Sequence, residues 1–381
     1  MPLPLYQGLH APQRPDHSHM HMGLWFERYF DGYTQDFGEV SKDGRSDWIK
    51  ALRAPQLGNK ADLQAKQARL QALVQAQGGQ TRVYHCPGNF VTGLGNPHPI
   101  ENGFLWHPTL GTPYLPGSAV KGLVRALVET AYQGEDKGQV LKRWFGTEQK
   151  GDVAQASGCF VFFDALPTHP CELLPEVMTP HMGKWYEKGG KDPLRPDTQP
   201  GDWHSPVPVS YLVARNLKLQ FAIAPRPGVI SADMLEQEMA NVWLALDKAL
   251  QWLGAGAKTA IGFGQFKEDS ADRLERQEAE KQAAQAARTA GMSEAQKRID
   301  AYISTMRDVL DKYPNRKKDR ANTELHNQAR ALVKEATEAA DWSAEDKKAA
   351  ALAVEEWLPK LVEIDIKDER RKLKLSALKG M

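Results

Sequence analysis

The chain has 381 residues, and its 49 lysines and arginines against 48 aspartates and glutamates give a formal net charge of +1. This length suits two domains, and the charge balance argues against a protein that holds polyanions by bulk positive charge, although a local basic groove fits within a neutral total. No apolar run approaches the roughly 18–20 residues that span a bilayer. The N-terminus lacks the basic and apolar regions of a secretory signal. The three cysteines are too few and too scattered for a disulfide framework or a metal knuckle. We therefore expect a cytoplasmic protein without a cofactor or a bound metal.

The first two thirds of the chain mix predicted strands and helices. An aromatic run (25–30) and a helix (61–77) precede an extended segment (81–91), and a loop rich in glycine and proline continues to residue 115. From Ser118 onwards, apolar residues recur at the spacing of one helix face as far as residue 131.

The elements that follow this helix complete the pattern. A strongly β-prone strand (159–163) comes first, and then a long irregular stretch (166–206). We predict one or two strands over 207–223, a helix from Ser231 that Gly254 ends, and a last strand over 261–266. The order β-α-β-β-α-β is that of the ferredoxin-like or RNA-recognition-motif fold, so the fold class is predicted to be α+β with insertions.

The composition changes near residue 267. All twelve phenylalanines lie before that point, together with all but two glycines and two prolines. The remainder is rich in strong helix formers, and its later part has helical apolar faces. We therefore predict two domains, a mixed domain over 1–267 and an all-α C-terminal extension over 268–381.

A glycine-rich string follows the helix that starts at Ser231. It reads Gly254-Ala-Gly256-Ala-Lys258-Thr259-Ala-Ile-Gly262-Phe-Gly264. A phosphate-binding P-loop needs a second glycine directly before the lysine and a preceding strand, and neither is present. The spacing of a dinucleotide-binding turn is absent as well. Two readings remain open, an anion-binding turn assisted by Lys258 and a tight helix-to-strand turn whose glycines avoid steric strain.

A second motif lies at the start of the earlier helix. Ser118 is a plausible N-cap, with Lys121 in the first turn and Arg125 one turn later on the same face. Free N–H groups beside two cations make a good phosphate site. The alternative is the solvated basic face of an amphipathic helix.

These two motifs together resemble those of the RAMP superfamily of CRISPR-associated RNA-binding proteins. Further strings narrow the resemblance to the family of sixth subunits of Cmr, or type III-B, effector complexes. They are Gly23–Phe26, Gly93–Asn96, Phe163–Ala165, Met178–His181 and Ser205–Val209. The resemblance covers residues from about 20 to 267 and does not extend to the helical tail.

The resemblance implies a non-catalytic backbone subunit that caps a filament and holds the 3′ region of the crRNA. The implied partners are crRNA, target RNA, and the other backbone and small helical subunits of the Cmr complex. Residues implied to bind RNA are Ser118, Lys121, Arg125, Gly254, Gly256, Lys258, Thr259, Gly262 and Gly264. The insertion 166–206 would form a thumb that contacts RNA or the next subunit through Met178, His181, Lys184, Trp185 and Tyr186.

Two other functional classes remain as alternatives. Some RAMP relatives process CRISPR RNA without metal, which requires a general base and acid near a 2′-OH. The candidate groups are His85, His98, His107, His181, His204 and Asp164. None of the histidines is paired in sequence, and a strand-end aspartate more often caps a turn.

His17-x-His19-x-His21 indicates adventitious metal affinity rather than a site. The third class is a purely structural interaction protein, in which both glycine-bearing motifs are only turns.

Overall fold

A computed structural model describes residues 20–380, apart from 35, 37, 42, 148–154, 190–194, 196–198, 202 and 315–316. The chain divides into two compact units, Met1–Arg276 and Gln277–Met381. Within the described part of the chain, no helix is both long enough and apolar enough to cross a membrane.

The first unit combines helices with antiparallel strands, which confirms the predicted mixture of the two. Its helices are α1 (Met22–Arg28), α2 (Gly44–Ala51), α3 (Lys60–Ala76), α4 (Gly117–Ala131), α5 (Lys137–Phe145) and α6 (Ala232–Trp252). Its strands are β1 (Ala54–Leu57), β2 (Gln80–Cys86), β3 (Gly146–Thr147), β4 (Ala156–Ser157), β5 (Phe160–Phe162), β6 (Leu166–Pro167), β7 (Cys171–Met178), β8 (Val209–Arg215), β9 (Leu217–Pro225) and β10 (Lys267–Glu268).

The larger sheet has the strand order β10-β2-β9-β5, with β6 also paired to β9, and every pairing is antiparallel. The longest ladder joins β2 and β9, from the pair Gln80 and Ile223 to the pair Cys86 and Leu217. Helices α4 and α6 pack against each other through their apolar stripes. Val124 and Trp243, one from each stripe, are fully buried, so the predicted amphipathic helices do supply the core.

The smaller sheet, β1-β7-β8, corrects the prediction that 166–206 is irregular. Strand β7 pairs with β8 along its whole length, from Glu172 to Met178. Pro175 within β7 argues against a central strand. The pairing with β1 extends only to Leu173, so Pro175 lies where that side of the strand is an edge. The irregular part therefore begins after Met178, as the loop that joins two strands of a hairpin.

The predicted strand over 261–266 is also wrong. Thr259–Ile261 form a 3₁₀ turn, and Gly262 and Gly264 have φ values of +89° and +68°, which an extended strand does not contain. The strand that pairs with β2 is β10, where Lys267 lies opposite His85. The remaining strands and helices of the predicted order are present, with ends that differ by a few residues.

The second unit is built from helices. They are α7 (Ser270–Thr289), which begins in the first unit, α8 (Glu294–Lys312), α9 (Glu324–Glu338), α10 (Ala344–Leu361), α11 (Ile366–Lys372) and α12 (Leu375–Leu378). Ser293 and Ser343 form capping boxes at the starts of α8 and α10. The core includes a buried polar pair, in which His326 Nε2 lies 2.8 Å from Glu369 Oε1.

The first turns of α7 belong with the first unit because of their polar contacts. Asp272 Oδ2 accepts a hydrogen bond from the Val83 N–H at 3.0 Å, and Asp269 pairs with Lys218 at 2.8 Å. Arg276 pairs with Glu268 of β10 at 2.6 Å. These contacts explain why the compact first unit extends to residue 276.

All three cysteines are buried thiols in the first unit, and none forms a disulfide. Burial raises the pKa of Cys86, raises that of Cys159 to about 11 and raises that of Cys171 to about 12.

Candidate nucleic-acid interface

Helix α4 starts differently from the predicted Ser118 cap. The helix begins at Gly117, and Ser118 is an exposed residue of its first turn without a capping hydrogen bond. The Gly117 N–H instead donates to Asp164 Oδ1 at 2.8 Å. A Cβ at Gly117 would lie 2.2 Å from the Phe162 carbonyl oxygen, so glycine allows the helix to begin against β5. Asp164 thus caps this helix from the end of a strand, which agrees with its interpretation as a capping residue.

A basic cleft of about 630 Å³ lies along one side of α4. Lys121 and Arg125 line it, as their spacing on one helix face predicts, and Lys142 and Arg226 line it as well. No carboxylate is among the described residues of this lining. Arg125 also pairs with Glu129 on the exposed surface at 2.8 Å. The cleft therefore concentrates positive charge in a chain that is nearly neutral overall.

Buried contacts fix the elements that carry the other two cations. Glu238 of α6 accepts a hydrogen bond from Trp144 Nε1 at 2.5 Å and pairs with Arg143 at 2.6 Å, which ties the last turn of α5, next to Lys142, to the core. Arg226 Nε donates to the Gly158 carbonyl at 3.1 Å, and its own N–H donates to the Cys159 carbonyl at 2.7 Å. Because rigid elements carry Lys142 and Arg226, their positions depend little on loop motion.

The glycine-rich string forms a compact turn against residues 89–91. The Gly264 N–H donates to the Asn89 carbonyl at 2.8 Å, and the Ala257 N–H donates to the Val91 carbonyl at 2.7 Å. A Cβ at Gly264 would lie 1.9 Å from the Ala255 carbonyl oxygen, and one at Gly256 would lie 2.3 Å from the Val91 carbonyl oxygen. Close backbone approach therefore accounts for these two glycines.

This turn lines a second cleft, of about 380 Å³, which also borders α4. Its lining comprises Gly254–Ala257, Thr92–Gly95, Leu115, Ala119 and Leu123. Ala119 and Leu123 are two positions away from Lys121 and Arg125, so they lie on the opposite side of the helix surface. Helix α4 is thus a wall of both clefts, and the structure brings the two sequence motifs together around it.

The other residues of the glycine-rich string lie outside the described lining of both clefts. Lys258 has a left-handed backbone, with φ of +59°, and its Nζ lies 5.1 Å from the centre of the Tyr211 ring. Thr259 begins the 3₁₀ turn, and Gly262 is exposed with nothing near its Cβ position. Lys258 is therefore directed to Tyr211, and the lysines and arginines that line a cleft beside α4 are those of the basic cleft.

The predicted thumb residues divide into two groups. Met178 ends β7, pairs with Val209 and packs against the core. The others lie in the loop that joins β7 to β8, where His181 and Lys184 are exposed, Trp185 begins a π-helical turn and Tyr186 is 75 % exposed. Four of the predicted thumb residues therefore lie in the loop between two paired strands, and Met178 lies at the base of that loop.

Several candidate histidines hold loops in place. His98 Nε2 bonds the Phe26 carbonyl at 2.9 Å, and the Thr109 and Leu110 N–H groups donate to His107 Nδ1. His204 Nε2 bonds the Gln199 carbonyl at 2.7 Å. Burial lowers the pKa of both His98 and His107. In the described part of the chain, no group of three or more histidine, cysteine or acidic side chains is arranged to hold a metal. His17 and His19 lie outside the described residues.

Comparison with known proteins identifies the family of the segment that carries these clefts. Residues 84–267 match the model of the RAMP superfamily. We refer to this segment as the RAMP domain because of that match. A match to the CRISPR system Cmr subunit Cmr6 of Pyrococcus furiosus has 27% identity over 241 residues and covers 49% of this chain and 67% of that protein. A shorter match, to the Cmr6 subunit of Saccharolobus solfataricus, has 32% identity over 97 residues and covers 25% of this chain and 30% of that protein.

Two solved structures are also similar to the chain. One is a cryo-EM structure of the type III-B Cmr-beta complex bound to cognate target RNA, with 18% identity, a TM-score of 0.45, and coverage of 63% of this chain and 76% of that one. The other is the crystal structure of Cmr6 from Pyrococcus furiosus, with 21% identity, a TM-score of 0.28, and coverage of 50% of this chain and 98% of that one. Because both scores are low, the family rests on the sequence match.

The RAMP domain contains all nine residues of the two motifs and also two cations that the motifs miss. Lys142 and Arg226 belong to separate elements; Lys142 stands next to Arg143, and Arg226 is a single basic residue between two prolines, so neither belongs to a recognisable motif. Arg226 follows directly after β9, which is the only local feature that distinguishes it. Only the folded sheet brings these side chains beside Lys121.

Proposed function

We propose that this chain is a non-catalytic, RNA-binding subunit of a type III-B CRISPR effector complex. In this role the RAMP domain holds the 3′ region of the crRNA and caps the filament of related subunits. Its partners are crRNA, target RNA and the neighbouring backbone and small helical subunits. The relatives in Pyrococcus and Saccharolobus support this assignment, because both are named as Cmr6 subunits of the Cmr system.

The observation that carries the proposal is the basic cleft of α4. Lys121, Lys142 and Arg226 line one concave surface without an opposing carboxylate among its described residues. Lysine and arginine side chains so arranged suit a chain of phosphates. Contacts of this kind hold the backbone of RNA without reading its sequence, as a subunit that accepts any guide requires.

We also propose a ferredoxin-like core for the RAMP domain. Strands β2 and β5 are both antiparallel to β9, which lies between them, and α4 belongs to the connection from β2 to β5. This is the split βαβ arrangement, and the second half of the pattern follows as β9, α6 and β10. The predicted domain boundary at 267 belongs to this proposal, with α7 as the connector to the extension.

The glycine turn and the thumb complete the proposed RNA path. Gly256, which is exposed, and its neighbour Ala257 line the second cleft, so a sugar–phosphate strand that follows α4 would contact this turn. Tyr186 at the hairpin tip offers an aromatic face for stacking on a base or a neighbouring subunit. Ser118, Lys258 and Thr259 flank these surfaces and are assigned supporting contacts.

The test is guide retention by the complex purified from a host that bears a CRISPR array. The variant carries Lys121→Glu, Lys142→Glu and Arg226→Glu, and the matched control carries Lys60→Glu, Arg69→Glu and Lys267→Glu at exposed positions outside the clefts. We expect crosslinks from the RAMP domain to the 3′ region of the crRNA to fall at least about tenfold in the cleft variant. Equal crosslinking in the two variants, or crosslinks to the 5′ region, would refute the proposal.

The alternative, a metal-independent endonuclease, makes a different prediction. Its histidines would have to approach a 2′-OH as a pair, yet His98 and His107 are engaged with backbone groups of separate loops. Cleavage of CRISPR repeat RNA by the purified chain in the presence of a chelator would favour the enzyme. Unchanged RNA at high protein excess is the expected result.

A further inference from the structure

The helical unit has a groove of about 730 Å³ whose charge differs from that of the unit as a whole. Residues 277–381 contain 21 basic and 19 acidic residues, which is close to balance. The groove lining has seven basic residues and two acidic ones. The basic residues are Arg330, Lys334, Lys347, Lys348, Lys372, Lys374 and Lys379. The fold therefore gathers a third of the basic residues of this unit along one surface.

Two helices and one turn supply five of these cations from different directions. Arg330 and Lys334 lie one turn apart on α9, so both point to the same side. Lys347 and Lys348 lie in the first turns of α10. Lys374 lies in the tight turn between α11 and α12, with φ of +52°. The fully buried Leu375 anchors that turn, so the position of Lys374 is fixed by the core.

Most of this charge is not neutralised within the unit. Arg330, Lys347, Lys348 and Lys374 have no ion pair with any described residue. Lys334 pairs with Glu338 at 3.9 Å between two highly exposed side chains, which is a weak contact. Two cations are held by largely buried carboxylates, because Lys379 pairs with Glu355 at 2.5 Å and Lys372 lies 3.8 Å from Glu369. Glu345, the other acidic lining residue, lies in the first turn of α10, where a carboxylate favours the helix dipole.

We propose that this groove is a second RNA-binding site, which holds the sugar–phosphate backbone of a single strand. Six of its seven cations are lysines, which bind phosphates as flexible point charges and do not need the bidentate geometry of arginine. Val333, Leu373 and Leu378 lie between the charged residues, as surface for sugars. The described lining contains no aromatic side chain for base stacking, so the site is independent of sequence.

This site lies beyond the RAMP match and beyond the proposed role of the α4 cleft. It follows from the charge and shape of the helical unit alone, so either site can fail without the other. An acidic protein segment is the other polyanion that such a groove could hold. A nucleic acid is favoured because one charge on every nucleotide suits a groove lined by seven cations better than the sparser charges of most peptides.

The test uses the full chain and a short, fluorescein-labelled single-stranded RNA of mixed sequence. The groove variant is Lys347→Glu, Lys348→Glu and Lys374→Glu. The matched control is Lys317→Glu, Lys318→Glu and Lys367→Glu, which makes the same change in charge at exposed positions outside the groove. The same three groove lysines changed to Gln give a milder variant, which tests the site if the reversed charges disturb folding.

Fluorescence anisotropy over a series of salt concentrations should give a clear difference. We expect the Kd of the groove variant to rise at least about tenfold relative to the control. The slope of log K against log salt should become shallower by about 2, because three phosphate contacts to a single strand are lost. The Gln variant should show a smaller shift in the same direction.

Three results would overturn the proposal. In the first, the groove variant and the control bind the RNA equally, whatever the α4 cleft variant does. In the second, the chain that carries Lys121→Glu, Lys142→Glu and Arg226→Glu in the α4 cleft, with an unchanged groove, retains no RNA binding at low salt. In the third, polyglutamate of equal charge competes as well as unlabelled RNA, which would assign the groove to acidic protein partners.

Discussion

The α4 cleft and the groove of the helical unit are both basic, but they are built by different means. The region around α4 depends on backbone that only glycine allows, including Gly264 and the Gly117 approach to β5. The groove of the helical unit depends on side chains of regular helices, such as Arg330 and Lys347. One added methyl group should therefore disrupt the region around α4, whereas only a change of charge should affect the groove of the helical unit.

The largest expected effect is on Gly264. Its change to Ala combines a left-handed backbone with a Cβ 1.9 Å from the Ala255 carbonyl oxygen, and we expect the free energy of unfolding to fall by about 3 kcal/mol. Gly262→Ala is the matched control, because its φ is also positive but nothing lies near its Cβ, so about 1 kcal/mol is expected. Urea denaturation of the full chain, followed by tryptophan fluorescence, measures both, since eight of the ten tryptophans lie in the first unit.

Equal losses at Gly262 and Gly264 would contradict the close approach of the two backbones. In that case glycine would be required at both positions only because φ is positive there. The shape of the second cleft would then not depend on the contact between Gly264 and Ala255.

A smaller effect is expected at the start of α4. Asp164→Ala removes the acceptor of the Gly117 N–H, and we expect a loss of about 1 kcal/mol, as for other helix caps. Asp164→Asn keeps an oxygen at the same position and should lower the free energy of unfolding by only a few tenths of a kcal/mol. If Asp164 instead acted in proton transfer, both substitutions would leave stability unchanged and abolish a cleavage activity, which an RNA cleavage assay would detect.

The smallest effect concerns the groove of the helical unit. Burial raises the pKa of Glu355, but hydrogen bonds from Lys379 and Arg370 outweigh this and hold the pKa below its ordinary value. A depressed carboxyl pKa stabilises the folded state at neutral pH, and this stabilisation is lost as the pH falls through that pKa. Glu355→Gln should therefore lower stability by less than about 1 kcal/mol at pH 7, with a smaller difference from the parent at about pH 3.

Calorimetric unfolding of the full chain at the two pH values checks this result. Lys297→Gln, which removes the partner of the exposed Glu294 on the same helix, is the control and should have no measurable effect at either pH. A constant difference between Glu355→Gln and the parent across the pH range would mean that packing, and not the ion pair, holds Lys379.

The sequence predicts most of the larger sheet and its two main helices because their apolar residues have clear periods. Val124 and Trp243 belong to stripes that fit only a helix, and the run at β5 fits only a strand. Strand β7 was missed because Pro175 interrupts it and because its pairing with β1 ends before that residue. A strand has an unpaired edge where no other strand pairs with it, and the strand that would pair lies far away in the chain. The local sequence pattern therefore does not show where the edge is.

The candidate site was predictable only in part for the same reason. Lys121 and Arg125 share a helix face, so their spacing alone places them together. Lys142 and Arg226 join them only through the buried contacts of Glu238 and the edge of β5. Lys258, despite its place in the glycine-rich motif, adopts a left-handed backbone and turns toward Tyr211. The direction of a side chain in such a turn follows from φ values that the sequence does not specify.

The three buried thiols have a consequence for the chemistry of the whole chain. With their pKa values raised, Cys86, Cys159 and Cys171 hold almost no thiolate at neutral pH, so thiol-directed alkylating reagents should leave them unmodified in the folded protein. A single cysteine introduced at exposed Ser118 or Lys374 would then be the one reactive thiol of the molecule. Its protection from a maleimide upon addition of RNA would show, one surface at a time, which part of the protein the strand covers.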